Sequence, residues 1–236
     1  MNKKRQYQLL LLVLVMIVIF NISILLTANE SGSDNVYNVT TVGKNANGTV
    51  YKIIAGNASS NETVGIILGV HPREHEIHEA VNRTIHNITS KNGDQNLTKR
   101  YVIYYVKVND NLTSRDDTRQ AGEKLSQKFV VSKIAKDNPF IVVDVHEIDP
   151  VYEYSNFLFS LSNRTPQING YIDKLTNGMG IIDFNFTEGT SPEKVTMPIA
   201  KKGIPTLLIE TSITDSLSQK QDTANKLIKS LDELSP

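Results

Sequence analysis

The sequence predicts a three-layer α/β/α domain built on a mostly parallel, mixed sheet. Two observations lead to this fold class. Residues 64–70 (VGIILGV) form a short apolar run, as expected of a central strand that is buried on both faces. Beyond this run, apolar strand-like segments alternate with segments of helical periodicity, and this alternation is typical of layered α/β domains.

Each element is predicted from its own hydrophobic pattern. Strands are predicted at residues 64–70, 101–108, 140–145, 157–161, 181–186 and 204–209. Helices are predicted at residues 75–90, 118–136, 170–177 and 218–234. Because ligands of such sheets bind beyond the carboxyl ends of the strands, polar residues at those ends are the first candidates for function.

The N-terminal segment, residues 1–29, is predicted to be a signal anchor. A basic group at residues 3–5 precedes an apolar run of eighteen residues, 9–26. A helix of that length spans about 27 Å, which is enough to cross a bilayer core. The positive-inside rule then places the rest of the chain outside the cytoplasm, anchored to the membrane. Secretion after signal cleavage near residues 26–28 is the alternative.

The region after this segment indicates an extracellular glycoprotein. Residues 30–47 are polar and read as a stalk, which leaves residues 48–236 for the α/β domain. Chance would give roughly three or four glycosylation triplets. The chain has twelve, at Asn21, Asn29, Asn38, Asn47, Asn57, Asn61, Asn82, Asn87, Asn96, Asn111, Asn163 and Asn185.

Composition narrows the classes of function. The chain has no cysteine, so an ordinary hydrophobic core must stabilise it. Its formal net charge is zero, from 25 basic and 25 acidic residues. A chain without a basic patch is not expected to bind nucleic acid.

Four polar residues at three predicted strand ends indicate a metal site. His71 and Glu74 follow the first strand, His146 follows FIVVDV, and Glu210 ends the strand at residues 204–209. Two imidazoles and one carboxylate leave an open position on zinc, which is the arrangement of hydrolytic sites. His71, Glu74 and His146 are therefore the predicted ligands of one zinc ion, although the same donors also suit manganese or iron.

A competing assignment uses His75. Residues 71–75 spell H-x-x-E-H, the inverted zincin motif, in which both histidines bind zinc and the glutamate is the base. That motif needs both histidines on one helix, whereas Pro72 after a buried strand places His71 ahead of the helix. His75, His78 and His86 are accordingly predicted to lie on a helix surface.

The ordered motifs resemble those of a known family. GVHPRE at residues 69–74, DVH at residues 144–146 and GIPTLLIE at residues 203–210 are similar to the zinc carboxypeptidase superfamily, nearer its succinylglutamate desuccinylase and aspartoacylase branch. The resemblance covers about residues 50–215 and implies a carboxypeptidase-like fold. It implies zinc binding by the three ligands and Glu210 as the general base.

Other roles follow from the resemblance or from position. Asp144 precedes His146 by two residues on the same strand face, so it is a candidate to orient that imidazole. Arg73 is a candidate for substrate contact. Arg115 or Arg119, with a preference for Arg119, is predicted to stabilise the developing oxyanion. The catalytic tyrosine of the family has three candidates here, Tyr152, Tyr154 and Tyr171.

One departure from the family pattern affects the expected substrate. Ser126-Gln127 stands where the family has an Asn-Arg pair that grips the terminal carboxylate of the substrate. The sequence therefore predicts an exported zinc hydrolase of amide bonds, either a deacylase or amidase or a peptidase. Its substrate would be a peptide, an acyl-amino acid or a cell-wall-type compound. The alternatives are a non-catalytic surface glycoprotein that binds a ligand or partner, and a structural ectodomain without zinc.

Overall fold

The computed structural model describes residues 35–90, 96–186 and 192–236. The strands in these ranges are β1 (Asn35–Asn45), β2 (Gly48–Asn57), β3 (Thr63–Leu68), β4 (Arg100–Val108), β5 (Ile141–Ile148), β6 (Phe157–Ser160), β7 (Ile182–Asp183) and β8 (Thr206–Ser212). The helices are α1 (His75–Thr89), α2 (Arg115–Ser126), α3 (Pro166–Met179), α4 (Met197–Ala200) and α5 (Leu217–Asp232).

All of these strands form one mixed sheet, in the order β1-β2-β4-β3-β5-β8-β6-β7. The central strands β4, β3, β5 and β8 are parallel. The pairs β1–β2, β2–β4 and β6–β8 are antiparallel. The carboxyl ends of β3, β5 and β8 therefore meet at one edge, which is the place predicted for the site.

Helices cover both faces of the sheet, which confirms the predicted three-layer α/β/α fold. Consecutive residues of β3 show the two layers, because successive side chains of a strand point to opposite faces. Ile66 packs in the cluster that contains Val81 of α1 and the buried faces of α3 and α5. Ile67 packs in the other cluster, with Leu125 of α2 and Ile199 of α4.

The stalk predicted for residues 30–47 is wrong from residue 35 onward. β1 pairs with β2 in an antiparallel hairpin whose register runs from Asn35 opposite Asn57 to Asn45 opposite Gly48. The Tyr37 hydroxyl also donates to Asn82 Oδ1 of α1 at 2.7 Å, which ties this edge strand to the helix layer. The described domain therefore begins with β1, and residues 30–34 lie outside the described ranges.

Two elements are markedly shorter than their predictions. The strand predicted at residues 181–186 is reduced to β7, because Phe184 and Phe186 pack on the Phe157 ring with centroids 5.3 and 5.4 Å away. The helix predicted at residues 118–136 ends as an α-helix at Ser126 and continues as a π-helical turn, Gln127–Val131.

Helix α2 lies directly against the end of β3 because residue 122 is glycine. A Cβ atom at Gly122 would lie 1.9 Å from the carbonyl oxygen of Val70, so no larger residue fits without movement of the helix. The close approach brings the arginine-bearing face of α2 next to the chain that leaves β3 at His71.

The predicted signal anchor, residues 9–26, and the proposed cleavage position lie outside the described ranges. None of the helices within residues 35–90, 96–186 and 192–236 combines the length and the apolar composition that crossing a membrane requires.

Candidate metal centre

A tight turn after β3 supplies two of the predicted ligands. His71 has an extended backbone, with φ −113° and ψ 108°, and Pro72–Glu74 then form one turn of 3-10 helix. Proline suits the first position of this turn, because its missing N–H would have no helical partner there. The Glu74 amide donates to the His71 carbonyl at 3.1 Å, and this bond folds the two side chains toward the same space.

His146 reaches the same space from β5. One donor atom from each of His71, Glu74 and His146 lies within 4.8 Å of the other two. His71 Nδ1 is 2.9 Å from Glu74 Oε1, and His146 Nδ1 is 2.8 Å from Glu74 Oε2. All three residues are at most 7% exposed. The structure therefore places the three predicted ligands together, with both Nδ1 atoms facing one carboxylate.

A second carboxylate lies behind each imidazole. His71 Nε2 is 3.5 Å from Glu123 Oε1 of α2, and His146 Nε2 is 3.0 Å from Asp144 Oδ1 of β5. Asp144, as a hydrogen-bond partner at Nε2 of His146, keeps a hydrogen on that nitrogen and leaves the Nδ1 lone pair free for a metal ion. Asp144 was predicted to orient the His146 imidazole through a contact of this kind. Glu123 is a longer ion-pair neighbour of His71. Glu123 was not among the predicted site residues.

The electrostatics of the cluster favour a bound positive charge. Burial raises the pKa of Glu74, but His146 and His71 outweigh it and hold that pKa well below its ordinary value. Burial lowers the pKa of His146, but Asp144 and Glu74 outweigh it and raise that pKa well above the ordinary value. The shift of His146 shows that the carboxylates of Asp144 and Glu74 stabilise positive charge at its imidazole. The residues present therefore fit a divalent cation held by two nitrogens and one carboxylate.

Glu210 lies beside this cluster on β8. It is the direct register partner of His146 across the parallel β5–β8 pair. Burial raises the pKa of Glu210 to about 8, and the carboxylates of Glu74 and Asp144 also raise it, while His146 and Arg119 act in the opposite direction. A carboxylate with a pKa near neutrality has the proton affinity that a general base requires.

Two adjoining cavities open onto the cluster, with volumes of about 220 and 260 Å³. Both are lined by His71, Glu74, Arg115 and Arg119, and the larger one is also lined by Glu210. The site is therefore reachable by a small substrate group from the sheet edge.

The predicted arginines lie at different depths around these cavities. Arg119 is half-buried, and its Nη1 is 3.5 Å from Glu74 Oε1. Arg115 lies one helical turn earlier and is exposed. Arg73 is exposed at the rim of the smaller cavity, where it donates to the Thr113 carbonyl at 3.2 Å. Arg119 is thus the arginine placed next to a predicted ligand.

The three candidate tyrosines differ in their position relative to the two cavities. Tyr152 lines the larger cavity and packs edge-on against Phe186, with ring centroids 5.4 Å apart. Tyr154 stacks near Phe184 and does not line either cavity. Tyr171 is buried in α3 and contacts Phe140, in the helix layer away from the sheet edge. Of the three, Tyr152 is the one at the site.

The histidines of α1 do not complete an inverted zincin site. His71 precedes the helix, His75 is exposed at its first position, and the donor group found in the described residues takes its third member from β5. His86 is also exposed, as predicted. The prediction for His78 is wrong, because this residue is fully buried and its Nε2 lies 2.8 Å from the Val145 carbonyl.

A buried ion pair beside the ligands was not predicted. Glu147 directly follows His146, and its amide donates to Glu74 Oε2 at 3.3 Å. Its carboxylate lies 2.7 Å from the ammonium of Lys220 on α5, and both side chains are almost fully buried. No local pattern distinguishes Lys220 from other lysines of an amphipathic helix, so only the fold identifies this pair.

Comparisons by sequence identify no relative. No family model and no curated protein matches the chain.

Comparisons by structure place the fold among metallo-carboxypeptidases. A metallo-carboxypeptidase from Burkholderia cenocepacia superposes with a TM-score of 0.60 and 13% identity over 83% of this chain and 64% of the other. The Pseudomonas aeruginosa metallo-carboxypeptidase, solved with (2-guanidinoethylmercapto)succinic acid, gives a TM-score of 0.56 and 13% identity over 88% of this chain and 66% of the other. The aminopeptidase LapA from Legionella pneumophila gives a TM-score of 0.54 and 9% identity over 85% of this chain and 58% of the other.

The predicted resemblance is thereby confirmed at the level of the fold. The chain has a metallo-carboxypeptidase-like fold and carries a His-Glu-His cluster at the expected sheet edge. It spans less than two thirds of the length of the first carboxypeptidase chain it matches. The desuccinylase and aspartoacylase branch stays a prediction.

Proposed function

We propose that this protein is a zinc-dependent hydrolase of amide bonds. The observation that carries the proposal is the buried trio of His71, Glu74 and His146, whose donor atoms converge within 4.8 Å beside Glu210. His71, Glu74 and His146 would hold the ion. Zinc, when bound, supplies a Lewis acid that polarises a carbonyl and lowers the pKa of water.

Glu210 is the proposed general base. Its carboxylate would take a proton from the attacking water and later give that proton to the departing amine. Burial raises the pKa of Glu210 to about 8, so this group is a stronger base than an exposed glutamate. It is mostly protonated near neutral pH unless a positive charge is bound beside it, and a divalent cation at the trio would supply that charge. Its backbone position opposite His146 keeps the carboxylate at the ligand cluster.

Arg119 is the proposed stabiliser of the negative charge that develops on the carbonyl oxygen of the substrate. Its guanidinium already lies 3.5 Å from Glu74, so it is at the edge of the ligand cluster. Arg115 and Arg73 line the smaller cavity and would hold an anionic group of the substrate there. Asp144, behind His146, would keep that imidazole in the orientation that binds metal.

The position of Ser126-Gln127 bears on how a substrate with a terminal carboxylate would be held. The Ser126 hydroxyl is buried and donates to the Gly122 carbonyl at 2.8 Å, while Gln127 is exposed. Neither residue lines the two cavities. A terminal carboxylate would thus rely on Arg115 and Arg73, and we propose a peptide, an acyl-amino acid or a cell-wall-type amide as the substrate.

We also propose that the enzyme acts outside the cytoplasm, anchored by residues 9–26. The support for this location is the length and apolar character of that segment, its basic N-terminal flank, and the excess of glycosylation triplets along the chain.

The test of the proposed function is hydrolysis by the full chain, purified with detergent and loaded with zinc. The assay offers peptides, N-acyl-amino acids and peptidoglycan fragments, and it compares the wild type with Glu210→Gln. Turnover of one class by the wild type, lost in the variant, supports the proposal. Stoichiometric zinc without turnover of any class would instead favour the non-catalytic binding module.

A further inference from the structure

One short turn contacts Asp144 and Glu123, the two carboxylates that lie near the Nε2 atoms of the histidine ligands. The turn is Pro192–Thr196, a π-helical turn ahead of α4. The hydroxyl of Thr196, a fully buried residue, donates to Asp144 Oδ2 at 2.7 Å. The ammonium of Lys194 lies 2.5 Å from Glu123 Oε2. Two side chains spaced two residues apart thus reach two carboxylates that belong to different elements, β5 and α2.

The other oxygen of each carboxylate faces an imidazole. Asp144 Oδ1 lies 3.0 Å from His146 Nε2, and Glu123 Oε1 lies 3.5 Å from His71 Nε2. Each carboxylate therefore connects the turn on one side to a predicted ligand on the other. Each histidine thus has such a carboxylate, at hydrogen-bond distance for His146 and at a longer ion-pair distance for His71.

These contacts fix the direction of groups that would otherwise be free to rotate. A carboxylate turns about its last C–C bond unless both oxygens have partners, and an imidazole follows the carboxylate that binds its Nε2. The buried hydroxyl of Thr196 has a single hydrogen to donate, and Asp144 accepts it. The Lys194 ammonium also compensates the charge of buried Glu123. The orientation of both Nδ1 lone pairs is thus set partly by this turn.

We propose that Lys194 and Thr196 are positioning residues for the metal centre, which together hold both ligand imidazoles in the metal-binding orientation. Neither residue is a predicted ligand, and neither lines the cavities that open on the cluster. The inference rests on the proposed function in one respect, namely that the trio binds a metal ion. It does not depend on which bond the enzyme hydrolyses.

The test measures zinc affinity rather than turnover. The variants are Thr196→Val, which removes the hydroxyl at nearly constant volume, and Lys194→Met, which removes the charge at a partly exposed position. Thr206→Val is the matched control, because Thr206 is equally buried but donates to the Ile204 carbonyl instead. Lys201→Met, at an exposed position in the same region, is the control for the lysine. The dissociation constant of zinc is determined for each by competition with a chromophoric chelator.

We expect both test variants to bind zinc roughly 10 to 100 times more weakly than the wild type, as outer-sphere changes commonly do. The controls should keep the wild-type affinity, and Thr196→Ser should restore it. A second readout is the set of imidazole ¹⁵N NMR signals of His71 and His146, which should move in the test variants alone.

Folded test variants with the zinc affinity and imidazole signals of their controls would overturn the inference. If Thr196→Val does not fold, the comparison of Lys194→Met with Lys201→Met decides, because the Lys194 side chain is 41% exposed and tolerates substitution. A wild type that binds no zinc would overturn the proposed function itself and this inference with it, so the two failures are distinguishable.

Discussion

His146 and Glu210 are direct register partners on the adjacent parallel strands β5 and β8. One is a predicted metal ligand and the other the proposed base, so the sheet ladder determines their separation. Side chains at paired positions of neighbouring strands lie on the same face of the sheet. A substitution that leaves the ladder intact therefore changes the chemistry at one position without moving the other.

The first prediction concerns Glu210. Glu210→Gln keeps the size of the side chain but removes the proton acceptor, so we expect kcat to fall by about 10² to 10⁴. Zinc content, measured by mass spectrometry on the same sample, should stay at the wild-type value because Glu210 is not one of the three donors. Unchanged turnover by a zinc-loaded variant would rule out the assigned base.

The second prediction separates two metal sites. His146→Ala should lose zinc, because it removes one of three donors, whereas His75→Ala should keep it, because His75 is exposed on α1. The measurement is the zinc-to-protein ratio after dialysis against a weak chelator. The reverse result, with zinc lost only in His75→Ala, would establish the inverted zincin assignment.

The third prediction distinguishes the two arginines of α2. Arg119→Ala should lower kcat by roughly 10²-fold or more, because Arg119 is next to the ligand cluster where charge develops. Arg115→Ala should mainly raise KM, because this exposed residue lines the smaller cavity, where it would bind the substrate away from the reacting bond. Steady-state kinetics on one substrate measures both. Equal effects of the two variants on kcat would contradict the separate roles.

The fourth prediction is an acid-dependent loss of stability through His78. Burial lowers the pKa of His78 to about 4, from an ordinary value of 6.5. Between these values the unfolded chain binds a proton that the folded protein does not, so stability is lost as the pH falls from 6.5 to 4. The full effect of such a shift is about 3 kcal/mol in the free energy of unfolding.

His78→Gln tests this assignment, because glutamine can still donate to the Val145 carbonyl but does not titrate. Urea unfolding at several pH values between 4 and 7 should show a shallower pH dependence for this variant than for the wild type. His75→Gln, at an exposed position, is the control and should retain the wild-type slope. Parallel slopes for His78→Gln and the wild type would show that the pKa of His78 does not change on folding, which would contradict the prediction.

The ligand trio could be predicted from sequence because its signals are local. A buried strand followed by a proline fixes the direction in which His71 and Glu74 leave the sheet, and FIVVDVH marks another strand end. The fold class follows from the same alternation of strands and helices. The β1–β2 hairpin was missed because β1 is an edge strand of polar composition, and such a strand has the same local pattern as a linker.

Contacts between residues of different helices and strands could not be predicted from local sequence patterns. Glu123 lies 52 positions from His71 along the chain, and nothing near residue 123 marks it as a partner of that imidazole. His78 is different, because a signal was present. It shares a helix face with Val81 and Ile85, at spacings of three and seven residues, and this pattern indicates burial.

The sequence separation between Glu74 and His146 has a thermodynamic consequence. These two residues are 72 positions apart and meet only after β3 and β5 have paired, so the unfolded chain cannot offer the same set of donors. Any zinc bound by the trio then adds to the free energy of unfolding by mass action, by about 2.7 kcal/mol when free zinc is 100 times its dissociation constant. If the trio binds zinc as proposed, we therefore expect the melting temperature to rise with the free zinc concentration.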